Sequence, residues 1–198
     1  MFVKVCGLST PEAVRTAVEA GADAVGFVLT ASPREVSPER ARELLAGVPE
    51  GVAAVAVFRK EPAADAVATA RAAGLEWVQL HGNRTVEDVK TVHDAGMRLI
   101  RAVTMGAASE EFEDLGEELL LVDAAVPGSG ESWDYASVRA KGLGGRRWLL
   151  AGGLSPENVA EATQAAGAWG ADVSSGVESS RGVKDLKKVR AFVLAAKS

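Results

Sequence analysis

The chain has 198 residues, 47% of them hydrophobic, with 27 acidic against 22 basic side chains and a net charge of -5, the profile of a globular domain large enough to bury its core without a metal or disulfide staple. Its one cysteine cannot form an internal disulfide, and it shows neither a secretory leader nor an uninterrupted apolar run of the ~20 residues that a bilayer demands. A cytoplasmic protein that does not enter membranes is expected, and without a dense Lys/Arg stripe to neutralise phosphates no nucleic-acid partner is expected either.

In chain order, an aliphatic run at 2–6 precedes an amphipathic stretch at 11–20. Runs at 24–29, 52–58 and 77–80 are followed in the same way by stretches at 38–46, 62–73 and 85–95. Further runs lie at 99–103, 119–122, 148–151 and 171–174, and helical patterns return at 156–166 and 184–196. Thr10-Pro11, Ser37-Pro38 and Ser155-Pro156 pair a capping hydroxyl with a proline suited to a first turn, and Gly21, Gly74, Gly96 and Gly167 mark helix ends. The stretches 106–118 and 134–144 carry the least clear helical pattern, which makes the sixth unit the weakest.

Strand then helix, repeated about every 25 residues, requires parallel strands with right-handed crossovers. Eight such units in a chain this short predict a closed (βα)8 TIM barrel spanning residues 1–198 as a single domain rather than an open sheet. In that architecture chemistry belongs at the C-terminal ends of the strands, which here carry Cys6, Arg34, Arg59, Gln79, His81, Asp123, Ser129, Gly152-Gly153 and Ser174-Ser175-Gly176.

The loops after the seventh and eighth strands are small and hydroxyl-bearing, so their backbone N–H groups can approach a phosphate ahead of a helix N-terminus. Cys6 reads either as a buried structural thiol or as a thiolate base or nucleophile, for which a neighbouring cation such as Lys4 would have to lower its pKa. Asp123 reads either as a loop-organising carboxylate or as a general acid whose pKa burial raises. With only His81 and His93 available, no His-rich metal site can be assembled, and Walker and dinucleotide glycine motifs are absent.

Lys4-Val5-Cys6-Gly7-Leu8, Ser32-Pro33-Arg34, Val78-Gln79-Leu80-His81-Gly82, Leu121-Val122-Asp123, Pro127-Gly128-Ser129-Gly130, Leu150-Ala151-Gly152-Gly153-Leu154-Ser155-Pro156-Glu157-Asn158 and Asp172-Val173-Ser174-Ser175-Gly176-Val177-Glu178, with Gly182-Val183-Lys184-Asp185, run in order along the chain. Together they resemble the phosphoribosylanthranilate isomerase family. The resemblance implies a step of tryptophan biosynthesis, the Amadori rearrangement of a small-molecule substrate, phosphoribosylanthranilate, with no cofactor and no metal, by a monomer or homodimer. It further implies Cys6 as general base, Asp123 as general acid, Arg34 as the partner of the anthranilate carboxylate, and Gly152, Gly153, Ser175 and Gly176 as the phosphate site. Loop six departs from the family pattern, with Ser132-Trp133-Asp134-Tyr135 where an aromatic-Asp-Trp sequence is usual.

Overall fold

Alternation along a strand sends successive side chains to opposite faces, and each aliphatic run therefore feeds two cores. Strands β1 Phe2–Cys6, β2 Ala24–Val28, β3 Ala53–Phe58, β4 Trp77–His81, β5 Arg98–Thr104, β6 Leu119–Asp123, β7 Trp148–Leu150 and β8 Gly170–Val173 close in sequence order into a parallel barrel, with β8 paired back onto β1. The structure is a computed structural model that describes residues 1–124 and 133–198; the Pro127-Gly128-Ser129-Gly130 motif lies outside the described residues. One cluster, including Val55, Val57, Ile100, Leu121 and Leu149, fills the barrel interior. A second, larger cluster on the outer faces of the strands packs against the helices, as with Phe27, Phe58 and Leu120.

Helices α1 Pro11–Glu19, α2 Pro38–Leu45, α3 Ala63–Ala72 and α4 Val86–Asp94 follow the first four strands. Thr10 and Ser37 cap α1 and α2 through the backbone N–H groups of Ala13 and Arg40, and Thr85 with Asp88 forms a reciprocal capping box on α4. Helix α5 Val159–Ala166 starts later than Ser155-Pro156 suggests, because Asn158 turns its side chain back, accepting from the Ser155 N–H (2.8 Å) and donating to the Gly153 carbonyl (2.9 Å). Helix α6 Leu186–Lys197 also starts later than position 184: Glu178–Ser180 (β9) and Val183–Lys184 (β10) form an antiparallel hairpin first, and Asp185 then caps α6.

After β5 and β6 no full α-helix forms among the described residues; short 3-10 turns at Ser109–Phe112 and Tyr135–Lys141 stand in their place. Too few apolar residues recur at helical spacing in 106–118 to bury a helix face. The outward-facing Arg101, 1% exposed, fills the space instead. It donates to the carbonyls of Glu111 and Glu113 (2.5 Å each) and to the Glu117 carboxylate (2.8 Å), which Arg146 also reaches at 2.5 Å. A buried guanidinium thus satisfies backbone acceptors that a helix would have satisfied internally.

Because Glu117 is fully buried between these two arginines, Glu117→Ala is expected to cost about 3 to 5 kcal/mol by stranding the Arg101 charge. Glu43→Ala, which removes only the exposed partner of Arg40, is expected to cost less than about 1 kcal/mol. Urea unfolding of both variants checks this, and equal shifts in midpoint would show that the Arg101 cluster contributes no more than a surface pair.

Candidate active site

The period of two that builds the interior also selects what stands at the barrel mouth. On β1 it places Lys4 below Cys6, and on β8 it turns Asp172 inward at the register position opposite Lys4. The Lys4 ammonium lies 2.8 Å from the Asp172 carboxylate, and its side chain is fully buried. Burial works against the ammonium, but the charge and hydrogen bond of Asp172 oppose it and Lys4 is raised; burial likewise pushes the Asp172 carboxyl up, against the pull of Lys4 and Lys184. On the other side, β2 brings Gly26 opposite Cys6. A methyl group at Gly26 would stand 2.9 Å from the Cys6 sulfur, so the missing side chain makes the space that the thiol occupies.

Burial pushes the Cys6 thiol up, and the negative charge of Asp172 adds to that, while Lys4 and Lys184 pull it down. The effect expected of Lys4 is present, yet desolvation outweighs it, so the resting side chain is a thiol. Asp123 closes β6, is 9% exposed, and is pushed up to about 6, first by burial and then by the charge of Asp172; the Ala124 N–H, 2.8 Å away, opposes the shift, as do the charges of Lys4 and Arg59. A carboxyl group with this pKa keeps a protonated fraction near neutrality, as a general acid must.

Gly152, Gly153, Ser175 and Gly176 line one small cavity together with Asp123 and Asp172. The two loops touch so closely that a side chain at Gly176 would collide with the backbone carbonyl of Leu154. Trp133 Nε1 and the Tyr135 hydroxyl both donate to the Gly152 carbonyl (3.1 and 3.3 Å), and Asn158 holds that of Gly153. These contacts set the orientation of the loop's peptide units, and they are the service rendered by the unusual Trp133-Asp134-Tyr135 sequence.

Arg34 reaches the same mouth from the loop after β2. Its aliphatic stem covers Gly7, where a methyl group would come within 2.7 Å of Arg34 Cδ, and its guanidinium donates through Nε and Nη2 to the two oxygens of Glu178 (2.6 and 3.0 Å). Burial alone would raise Glu178, but Arg34, the Gly182 N–H and Lys184 hold it at about 2. Lys184 bonds Glu178 (2.9 Å) and also the carbonyl (2.8 Å) and hydroxyl of Ser174. Burial and the nearby cations Lys4, Arg59 and Arg84 hold His81 down to about 3, so it is neutral. His81 shares a 2.8 Å contact with Gln79.

The seven residues to which the resemblance assigns a role therefore lie on one face, at the C-terminal ends of the strands. Ser129 lies outside the described residues. Sequence reasoning assigned no part to Asp172, Glu178 or Lys184. A carboxylate inside the buried run Gly170–Val173 is a legible sign of an interior partner, whereas nothing local ties Glu178 to Arg34. A larger cavity, about 590 Å³ and lined by Phe2, Trp77 and Arg98 among others, opens at the N-terminal ends of the strands, remote from these groups. Among the described residues no group of three or more His, Cys, Asp or Glu side chains is placed to share a metal ion, and no helix is long and apolar enough to cross a membrane.

Residues 3–195 match the family model for N-(5'-phosphoribosyl)anthranilate isomerase. The enzyme of that name from Trichlorobacter lovleyi is 40% identical over 200 residues, 98% of this chain and 97% of the relative. The crystal structure of phosphoribosyl anthranilate isomerase from Thermus thermophilus superposes with a TM-score of 0.90 at 36% identity, covering 98% of each chain. A crystal structure of an isomerase of the same name in complex with reduced 1-(o-carboxyphenylamino)-1-deoxyribulose 5-phosphate superposes with a TM-score of 0.86 at 33% identity, covering 100% of this chain and 98% of that one.

The raised Asp123 pKa has a stability consequence whose sign is fixed. Between the ordinary 3.8 and about 6 the folded chain binds more protons than the unfolded one, so ionisation of Asp123 destabilises the fold increasingly as pH rises, by about 3 kcal/mol above both values. Asp123→Asn removes that ionisation. The stability difference between variant and parent is expected to grow in the variant's favour by about this amount between pH 4 and pH 7. Urea melts across that range check it, and a pH-independent difference would mean that Asp123 titrates normally.

Proposed function

The chain belongs to the N-(5'-phosphoribosyl)anthranilate isomerase family and catalyses the isomerisation of phosphoribosylanthranilate in tryptophan biosynthesis; from that premise we propose that Cys6 is the general base and Asp123 the general acid of the Amadori rearrangement. Asp123 protonates the furanose ring oxygen, and the ring opens to an imine. Cys6 then removes the proton from the adjacent ribose carbon to give an enamine, which tautomerises to the ketone, 1-(2-carboxyphenylamino)-1-deoxyribulose 5-phosphate. Only protons move between enzyme and substrate, so no step calls for a carrier of electrons or hydride.

One observation carries this reading: Asp123 and the two glycine-rich loops line the same cavity as Asp172, whose partner Lys4 stands directly below Cys6 on β1. A phosphate held by the N–H groups of Gly152, Gly153, Ser175 and Gly176 would therefore hold the sugar between acid and base. The shifts suit the roles. Asp123 at about 6 is a ready donor near neutrality, and a thiol whose pKa is raised yields a scarcer thiolate that is a stronger base, with the Lys4 ammonium to stabilise it. Arg34, with donors left over from Glu178, would take the anthranilate carboxylate through its planar fork. A biosynthetic enzyme with one free thiol fits a cytoplasmic placement.

Loss of anthranilate-type fluorescence after adding the protein to freshly generated phosphoribosylanthranilate, above the spontaneous decay and with chelator present, tests the activity. Cys6→Ser and Asp123→Asn are each expected to lower kcat by at least ~10² with substrate affinity largely kept, as is typical for an acid or base role. Near-normal turnover in either variant would overturn the assignment of that residue. Arg34→Ala is expected to act mainly on KM, and an unchanged KM would remove Arg34 from the carboxylate site.

A further inference from the structure

Four of the five N–H donors of an arginine lie in pairs on two edges, the Nε/Nη2 side edge and the Nη1/Nη2 end edge, and each edge can grip one carboxylate. In Arg34 the side edge is taken by both oxygens of Glu178, at 2.6 and 3.0 Å. We propose that Glu178, carried on the β9–β10 hairpin, is a positioning residue for substrate binding: by filling the side edge of Arg34 it turns the end edge toward the substrate carboxylate and holds it beside Cys6. This rests on the reading of Arg34 as the carboxylate-binding residue.

Several independent contacts make the hairpin a clamp rather than a loose appendage. Glu178 is itself held from two further directions, by the Gly182 N–H (3.0 Å) and by Lys184 Nζ (2.9 Å). At the hairpin turn, Gly182 has φ +87°, and a methyl group there would lie 2.5 Å from the Pro33 carbonyl, so the turn is pressed against the residue next to Arg34. The stem of Arg34 is fixed at its other end over Gly7. With its side edge paired and its stem and preceding backbone packed closely, the guanidinium is restricted before substrate arrives, and a long side chain then forfeits less rotamer freedom on binding.

Lys184 extends the clamp to the other end of the substrate. It donates to Glu178 and to the carbonyl and hydroxyl of Ser174, the residue that leads into the Ser175-Gly176 loop. Lys184 thus anchors Ser174, at the start of the phosphate loop, independently of its bond to Glu178.

Charge and position predict opposite outcomes, which makes the inference testable. If Glu178 only neutralised Arg34, removing its charge would strengthen binding of an anionic substrate. If it positions Arg34, Glu178→Gln keeps the shape but loses a charge-assisted bond, and KM is expected to rise at least about 5-fold with kcat changed less than about 3-fold. Steady-state kinetics of Glu178→Gln, Arg34→Ala and the double variant form the cycle, with circular dichroism confirming that each folds. Acting through Arg34 requires that the double variant have the KM of Arg34→Ala alone, because the two effects are not additive. Additive KM effects, or a KM for Glu178→Gln that is unchanged or lower, would overturn the positioning role. An unchanged KM in Arg34→Ala would instead overturn the reading of Arg34 on which the inference rests, so the two failures are distinguishable. Inorganic phosphate, titrated as an inhibitor, is expected to bind Glu178→Gln within about 2-fold of the parent; a larger loss would place the role of Glu178 in the phosphate loops rather than at Arg34.

Discussion

An ammonium group sealed inside a closed barrel must find its counter-charge inside the same barrel, and the Lys4–Asp172 pair meets that requirement across the seam where β8 joins β1. The register that closes the sheet is the register that brings Lys4 opposite Asp172, so closure and charge neutralisation are one event. Breaking such a pair by removing one partner leaves an uncompensated buried charge, at a cost of about 3 to 5 kcal/mol. The pair is also the electrostatic floor of the active site. Lys4 lowers the Cys6 thiol against its burial, and the Asp172 charge helps to raise Asp123. The two groups proposed as base and acid are tuned from one buried ion pair.

The barrel mouth holds its functional groups in states that are costly to the fold. Asp123 and Cys6 are both displaced upward by desolvation, and His81 is displaced downward by the same cause with three cations adding to it. Desolvated groups have strong interactions and weak hydration, which suits proton transfer and works against stability. The expense is met elsewhere, by the continuous apolar layer between strands and helices. In the Arg34–Glu178–Lys184 group each charge has a partner within 3.0 Å, and Glu178 stays ionised despite burial.

The part of the barrel after β5 shows a different solution to the same accounting of polar groups. Where the sequence lacks the apolar spacing for a helix, Arg101 supplies donors to the exposed carbonyls of Glu111 and Glu113. The sheet is covered by a charged cluster instead of a helix, and the shortened crossover still returns the chain to β6, so Asp123 arrives at the mouth in register with Thr104 of β5. The Tyr135–Lys141 turn works similarly on the next unit, with Trp133 and Tyr135 tied to Gly152.

What could be read from the residues alone was whatever depends on local pattern. Aliphatic runs of period two, capped amphipathic stretches between them and a repeat that leaves room for only one closed topology were enough for the barrel. The rule that chemistry sits at strand C-termini then narrowed the candidates to a set that included Cys6, Asp123, Arg34 and the two glycine loops, and the family resemblance gave those their roles. Local pattern also pointed to the weak units, since 106–118 and 134–144 lack the spacing that makes a helix amphipathic. Tertiary structure alone decided the pairings: Lys4 with Asp172, 168 positions apart, and Arg34 with Glu178, 144 positions apart. It also decided the sign of the Cys6 shift, because desolvation depends on how completely the neighbouring strands exclude water, and no local spacing encodes that. Periodicity is a property of a segment and survives in the sequence; burial and long-range charge pairing are properties of the closed barrel and exist only once β8 has met β1.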